Sequence, residues 1–360
     1  MEKMHALFSK GLFVLMLFFA SCHSYYFRSA QTDGGIHHFQ MLEVNDIHQA
    51  VLIRGQHINN PVLVYMHGGP GFPLFPFEPN HEIFRLLEQH FTMVYWEQRG
   101  TGKSFSKRIP ARTMNIHQFV EDAKIVIDFA LAFAGQQKAF IWGHSWGSGV
   151  ATLFSYHHPD RVRALITTGQ TVNPFLNEQM GYEFVYERAT LENNKRALRQ
   201  LQWIDTIPEN YTLQDALTIR RWVYHYGGIV KEVDRERPYI NMGEIQEIIS
   251  APEYSFLERL NLVFFPMYSA RKLWDDMKSM NLFDDVAKIR VPVYFLLGRH
   301  DIIVSSRLAA SYYAELEAPA GKKLVWFESS AHRPFIEEKD KFMEVVLSIR
   351  NHHVPNDSPK

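Results

Sequence analysis

The sequence predicts an α/β fold, a mostly parallel sheet covered by helices on both faces and interrupted late by a helical insertion. Three observations predict it. Short continuous apolar runs recur along the chain, as strands buried on both faces require. Helical apolar spacing appears between some of these runs, which favours βαβ units. Residues 173–285, rich in Glu, Arg and aromatics, read as helix segments with no clear buried strand. At 360 residues, 46% of them hydrophobic, the chain can bury a large core.

The amino terminus reads as a targeting segment. Lys3 and Lys10 precede an apolar run, residues 11–20, too short to span a bilayer but suited to a secretory signal. Phe19-Ala20-Ser21-Cys22 follows, and Cys22 is the single cysteine of the chain. The arrangement resembles a bacterial lipoprotein lipobox. That resemblance implies export, lipidation at Cys22 and anchoring to a bacterial membrane. A lone cysteine leaves no intrachain disulfide, so the exported fold must rest on its core.

Residues 36–42 and 50–53 then suggest an opening pair of strands. Residues 61–66, 91–96, 139–142, 162–166, 291–297 and 323–327 continue the series. Within 116–133, Phe119, Ala123, Val126, Phe129, Ala130 and Phe133 fall at helical spacing, and Gly135 marks the end. The division that follows is a signal at 1–21, a core at 22–172 and 286–351, a helical cap at 173–285, and a disordered polar tail at 352–360.

Composition narrows the function. A formal net charge of −1 with no basic stripe gives no sign of a nucleic-acid partner. The histidine pairs His37-His38, His157-His158 and His352-His353 point in different directions on any regular element, which is poor metal-ligand spacing. Residues 97–104, EQRGTGKS, end like a phosphate-binding loop. Such a loop needs glycine where Glu97 stands, and a carboxylate there would repel phosphate, so a nucleotide site is rejected.

Gly143-His144-Ser145-Trp146-Gly147 follows an apolar strand and opens an apolar helical stretch. A tight strand-to-helix turn there holds a serine hydroxyl above the sheet, and side chains at its two glycines would collide. Serine needs a base, and the base needs a carboxylate to orient it. Asp301 and His332 follow in that order, each after a predicted strand, where an open α/β sheet places its ligands. His67-Gly68-Gly69-Pro70-Gly71 ends another strand and offers bare backbone N–H groups for a developing oxyanion, with Trp146 as the second donor.

HGGPG, WEQRGTGKS, GHSWG, GRHD and the late histidine together resemble the α/β-hydrolase superfamily, specifically its proline iminopeptidase-like branch. The resemblance implies an α/β-hydrolase fold with Ser145 as nucleophile, Asp301 as orienting acid and His332 as general base. It further implies oxyanion N–H groups from Gly69 and Trp146, a helical cap over the pocket, and no metal or organic cofactor. The expected partner is a small peptide or ester substrate. An aminopeptidase favouring an amino-terminal proline leads, with a carboxylesterase or small-amide hydrolase behind it. The competitor from another class is a lipid-anchored binding or sensory protein without turnover. A dehalogenase or epoxide hydrolase is disfavoured, because those need a carboxylate where Ser145 stands.

Two departures leave the substrate open. Enzymes of the branch grip a free amine with acidic cap residues, one in a Trp-x-x-Trp-Glu pattern, whereas Trp222-Val223-Tyr224-His225-Tyr226 lacks the second tryptophan and the glutamate. Glu183 and Glu187 could serve but read as solvated helix charges. Ala331 replaces the glycine that usually precedes the histidine. Residues 72–77, rich in Phe and Pro, follow the oxyanion loop and are read as a pocket wall or as core.

Overall fold

The structure, a computed structural model, describes residues 35–232, 235, 242–264 and 267–354. Cys22 and the apolar run before it lie outside these residues. Eight strands form one sheet in the order β1-β2-β4-β3-β5-β6-β7-β8. They are β1 (Ile36–Val44), β2 (Ile47–Gly55), β3 (Val62–Met66), β4 (Thr92–Glu97), β5 (Ala139–His144), β6 (Val162–Thr168), β7 (Val293–Gly298) and β8 (Lys322–Phe327). The opening hairpin β1–β2 is antiparallel and joins β4 antiparallel; every other pairing is parallel.

The all-buried strands explain the continuous apolar runs. In β3, Val62, Val64 and Met66 pack into a cluster on one face, while Leu63 and Tyr65 pack into a second cluster on the other. Period-two alternation therefore sends apolar groups both ways, and no polar residue interrupts the run. Helices α1 (Glu82–Leu87), α2 (Ile116–Ala134) and α3 (Trp146–His157) flank the first half of the sheet. The Asn115 side chain accepts from Gln118 N at the start of α2, and Gly135 ends it at φ 64°. Such an N-cap is worth about 1 kcal/mol, and the left-handed closing residue suits glycine.

Between β6 and β7 every described element is helical. These are α4 (Pro174–Leu191), α5 (Lys195–Leu201), α6 (Leu213–His225), α7 (Met242–Ser250), α8 (Phe256–Phe264), α9 (Tyr268–Ser279) and α10 (Leu282–Asp285). Val185, Leu201, Ile219 and Trp222 belong to a third apolar cluster within this block. Its helices thus bury part of their apolar surface against one another.

Helices α11 (Ser306–Glu315), α12 (Pro334–Glu337) and α13 (Lys339–His353) complete the chain. The last helix runs two residues into the segment read as a disordered tail. Tyr294 Oη lies 2.8 Å from His353 Nε2, and Arg163 Nη1 donates to His353 O, which ties the helix end to the sheet. Among the described residues, no helix is long and apolar enough to cross a membrane.

Candidate active site

Ser145 stands between β5 and α3 with φ 55° and ψ −126°, a backbone conformation a non-glycine residue rarely adopts. Crowding enforces the turn. A Cβ at Gly143 would lie 2.6 Å from Gly147 O, and one at Gly147 would lie 2.1 Å from Met66 O. Ser145 O accepts from Ser148 N at 2.9 Å and from Thr171 Oγ1 at 2.9 Å, so the strained residue is held from its carbonyl side.

Asp301 follows β7 and is almost wholly buried. Its Oδ1 accepts from Val304 N at 3.0 Å, and its Oδ2 lies 2.8 Å from His332 Nδ1. A carboxylate can only accept, so Nδ1 carries the proton and Nε2 is left as the basic nitrogen of the neutral ring. His332 N donates to Ile229 O at 3.0 Å, which ties this loop to the helical block. The His144 ring sits 4.7 Å from the His332 ring, and burial keeps His144 well below the usual histidine pKa.

The loop after β3 faces the same space. Gly69 has φ 133°, is exposed, and precedes a cis peptide to Pro70. Trp146 opens α3, so its N–H is one of the first-turn donors that a helix leaves without an intrahelical acceptor. Gln98 ties the two donors' surroundings together. Its Nε2 donates to His67 O at 2.9 Å, its N donates to His67 Nε2 at 3.2 Å, and its Oε1 accepts from Trp146 Nε1 at 2.9 Å. Because His67 Nε2 accepts, Nδ1 carries the proton and donates to Gly68 O at 2.7 Å. Burial lowers the His67 pKa to about 4, which keeps the ring neutral in that role.

The EQRGTGKS stretch begins on the last residue of β4 and is knotted by its own carboxylate. Buried Glu97 accepts from Leu74 N at 3.1 Å, from Lys103 N at 2.6 Å and from the Tyr254 hydroxyl. A Cβ at Gly102 would lie 2.1 Å from Glu97 Oε2, so the glycine makes room for the acid, not for a phosphate. Lys103 Nζ donates to Glu253 O at 2.8 Å and pairs with Glu258 at 2.9 Å, joining core loop to helical block. Arg99 binds both oxygens of Asp122 on α2, at 2.8 Å each, with both side chains fully buried.

A cavity of about 280 Å³ brings these parts together. Ser145, Trp146, Gly69 and His332 line it from the sheet side, while Leu217, Trp274 and Met277 line it from the helical block. Asp301 does not line it; it stands behind His332. Of the run 72–77, Phe72 lines the cavity, whereas Leu74 and Phe75 are buried in the core, so the segment serves both purposes.

Glu183 and Glu187 are exposed and do not line the cavity. Trp222 is buried in the cap cluster with its Nε1 donating to Gln200. The acids that reach the cavity are Glu178 and Glu78, which the sequence did not single out. Glu178 is paired with Arg220 at 2.6 Å and accepts from the Tyr211 hydroxyl at 3.1 Å. No motif links partners 42 residues apart. Among the described residues, no group of three or more His, Cys, Asp or Glu could hold a metal ion.

Comparison with known proteins fits this architecture. The family described as alpha/beta hydrolase fold matches residues 61–339. The chain is 31% identical over 315 residues to the "Probable aminopeptidase YbaC" of Bacillus subtilis, covering 87% of this chain and 96% of that protein. It is 23% identical to a proline iminopeptidase of Saccharolobus solfataricus, covering 84% and 88%. Among solved structures, the proline iminopeptidase of Mycobacterium smegmatis superposes with a TM-score of 0.62 at 16% identity, covering 88% of this chain and 98% of that one.

Proposed function

Because the chain belongs to the α/β-hydrolase family, we propose that it is a serine hydrolase that cleaves an amide or ester bond through an acyl-enzyme. Aminopeptidase action on small peptides is the favoured form. The observation that carries this reading is the convergence of the strained Ser145 and the Asp301-oriented His332 on one cavity. Ser145 Oγ attacks the carbonyl carbon as His332 Nε2 takes its proton. The oxyanion is received by the N–H groups of Gly69 and Trp146. The imidazolium, held by Asp301, then protonates the leaving amine or alkoxide as its bond to carbon breaks. Water repeats the sequence on the acyl-enzyme, releasing the acid and restoring Ser145.

The similarity to one relative named as a probable aminopeptidase and another named as a proline iminopeptidase supports the favoured form. A fluorophosphonate probe tests the reading. It should label the folded wild-type protein and not Ser145→Ala, which should also lose hydrolysis by about 10⁶-fold. Unlabelled wild type, or labelling that survives the substitution, would refute it. A panel of amino-acid amides against short acyl esters then separates aminopeptidase from carboxylesterase.

Export and lipid anchoring at Cys22 form part of the same proposal, supported by the apolar run and the small residues before that cysteine. Cys22→Ala should release the protein from membranes. A variant that remains membrane-bound at full length counts against the anchor.

A further inference from the structure

Two carboxylates line the cavity, and their circumstances are opposite. Glu178 is satisfied from within the helical block: Arg220 donates to its Oε1 at 2.6 and 3.2 Å, and Tyr211 donates to its Oε2. Its charge is already balanced, so an incoming cation would gain little from it. Glu78 begins the short 3₁₀ turn Glu78–Asn80 that ends the loop carrying Gly69 and Phe72. Its Oε2 is shut away from solvent and has no hydrogen-bond partner among the described residues. Arg333, on the same cavity wall, is exposed and acts on Glu78 through its charge.

A carboxylate oxygen out of water and without a donor is costly, and an isolated charge there more so. Burial accordingly pushes the Glu78 carboxyl up to about 7, against the pull of Arg333. The carboxyl lacks both a donor and a paired counter-charge, on the wall that also carries the oxyanion loop; the nearby Tyr65 hydroxyl, itself buried and unpartnered, supplies no charge. A substrate with a free amino terminus carries a positively charged donor one carbon from the carbonyl under attack. A neutral ester carries no such group.

We propose that Glu78 is the anchor for the positively charged amine of the substrate. This rests on the aminopeptidase form of the hydrolase reading and deepens it: the amine would be gripped from the core loop, not from the cap. An ammonium group meeting the carboxyl from the cavity supplies the missing counter-charge and holds the neighbouring carbonyl toward Ser145 and the N–H groups of Gly69 and Trp146. The proton equilibrium of Glu78 shifts toward the carboxylate as the cation arrives.

Calorimetric titration of L-prolinamide and of N-acetyl-L-prolinamide tests this in the Ser145→Ala background, where turnover does not interfere. The free-amine ligand should bind more tightly than the acetylated one. Glu78→Gln should shrink that ratio of affinities by about 10- to 100-fold, and Glu78→Asp should recover part of it. A ratio near one in the Ser145→Ala parent overturns the proposal, as does a ratio that Glu78→Gln leaves unchanged. Should Glu78→Gln fail to fold, the Glu78→Asp ratio decides alone: an unaltered ratio overturns the proposal and a reduced one supports it. Fluorophosphonate labelling of Ser145 is scored separately. Labelling with an unchanged ratio rejects the anchor and keeps the hydrolase, whereas a collapsed ratio without labelling keeps the anchor and rejects the hydrolase.

Discussion

The sheet loops and the helical block each contain a buried-type ion pair, and the two pairs differ in what surrounds them. Arg99 and Asp122 are both fully buried, and Asp122 also accepts from Asn45 and Gln49 at 2.7 Å each. Every acceptor there is committed to holding β2, the end of β4 and α2 together. Glu178 and Arg220 are also paired, but Arg220 keeps 21% of its side chain exposed and both line the cavity. Around Arg99 the sheet side spends its polar groups on position, while the Glu178–Arg220 pair of the helical side stays in reach of a ligand. In the proposed reaction the bond-breaking groups lie on the sheet side, with Glu78 beside them on a core loop, while the helical block supplies a separate set of ligand contacts.

Substitutions can break that separation, beginning with the largest effect. Asp301→Asn should lower kcat by about 10³- to 10⁴-fold, because the amide no longer holds His332 in the required tautomer. Steady-state rates on any accepted ester check it, and a loss under about tenfold would remove Asp301 from its role. Asp122→Asn should cost about 3–5 kcal/mol of stability, since Arg99 keeps its buried charge without a counter-ion. Urea denaturation measures this, and a loss below about 1 kcal/mol would mean that water reaches the pair.

A pH dependence follows from His67, whose pKa is lowered to about 4 from the usual 6.5. Between those values the unfolded chain binds a proton that the folded ring refuses, so stability falls as pH is lowered through this window. The share of His67 reaches about 3 kcal/mol below pH 4, and His144 acts with the same sign. His67→Gln should flatten the curve measured by denaturation at a series of pH values; an unchanged slope would deny that the ring is held neutral. Arg220→Gln, on the helical side, should move KM by up to about tenfold and kcat by about twofold or less. A larger fall in kcat would show that the two parts are not separate after all.

The sequence made the sheet side legible because its requirements are local. A strand buried on both faces must be apolar throughout, and a serine in a strand-to-helix turn needs glycines two residues away on each side. The strand boundaries moved little: β4 begins at Thr92 and includes Glu97, so the residue expected to open a loop closes a strand. Glu78, Glu178 and Arg220 carried no such signal. Their meaning depends on which groups meet across the cavity, and Glu178 finds Arg220 only after α4 and α6 pack together. Glu183 and Glu187 share the composition of Glu178 on the same helix but face solvent. Helical composition alone cannot tell these acids apart. The Gly-Lys-Ser likeness to a phosphate loop failed for the converse reason, since three matching letters held none of the space around Glu97.

Gly147 is the spacer between two chain segments. Its missing methyl group would lie 2.1 Å from Met66 O and 2.6 Å from His67 O, so α3 rests directly on the backbone of the neighbouring strand. The turn that carries Ser145 and the loop that begins at His67 therefore meet backbone to backbone. Gly147→Ala would drive a wedge into that contact and push the turn and the loop apart. A hydrogen atom in place of a methyl group is thus what lets the two chain segments touch.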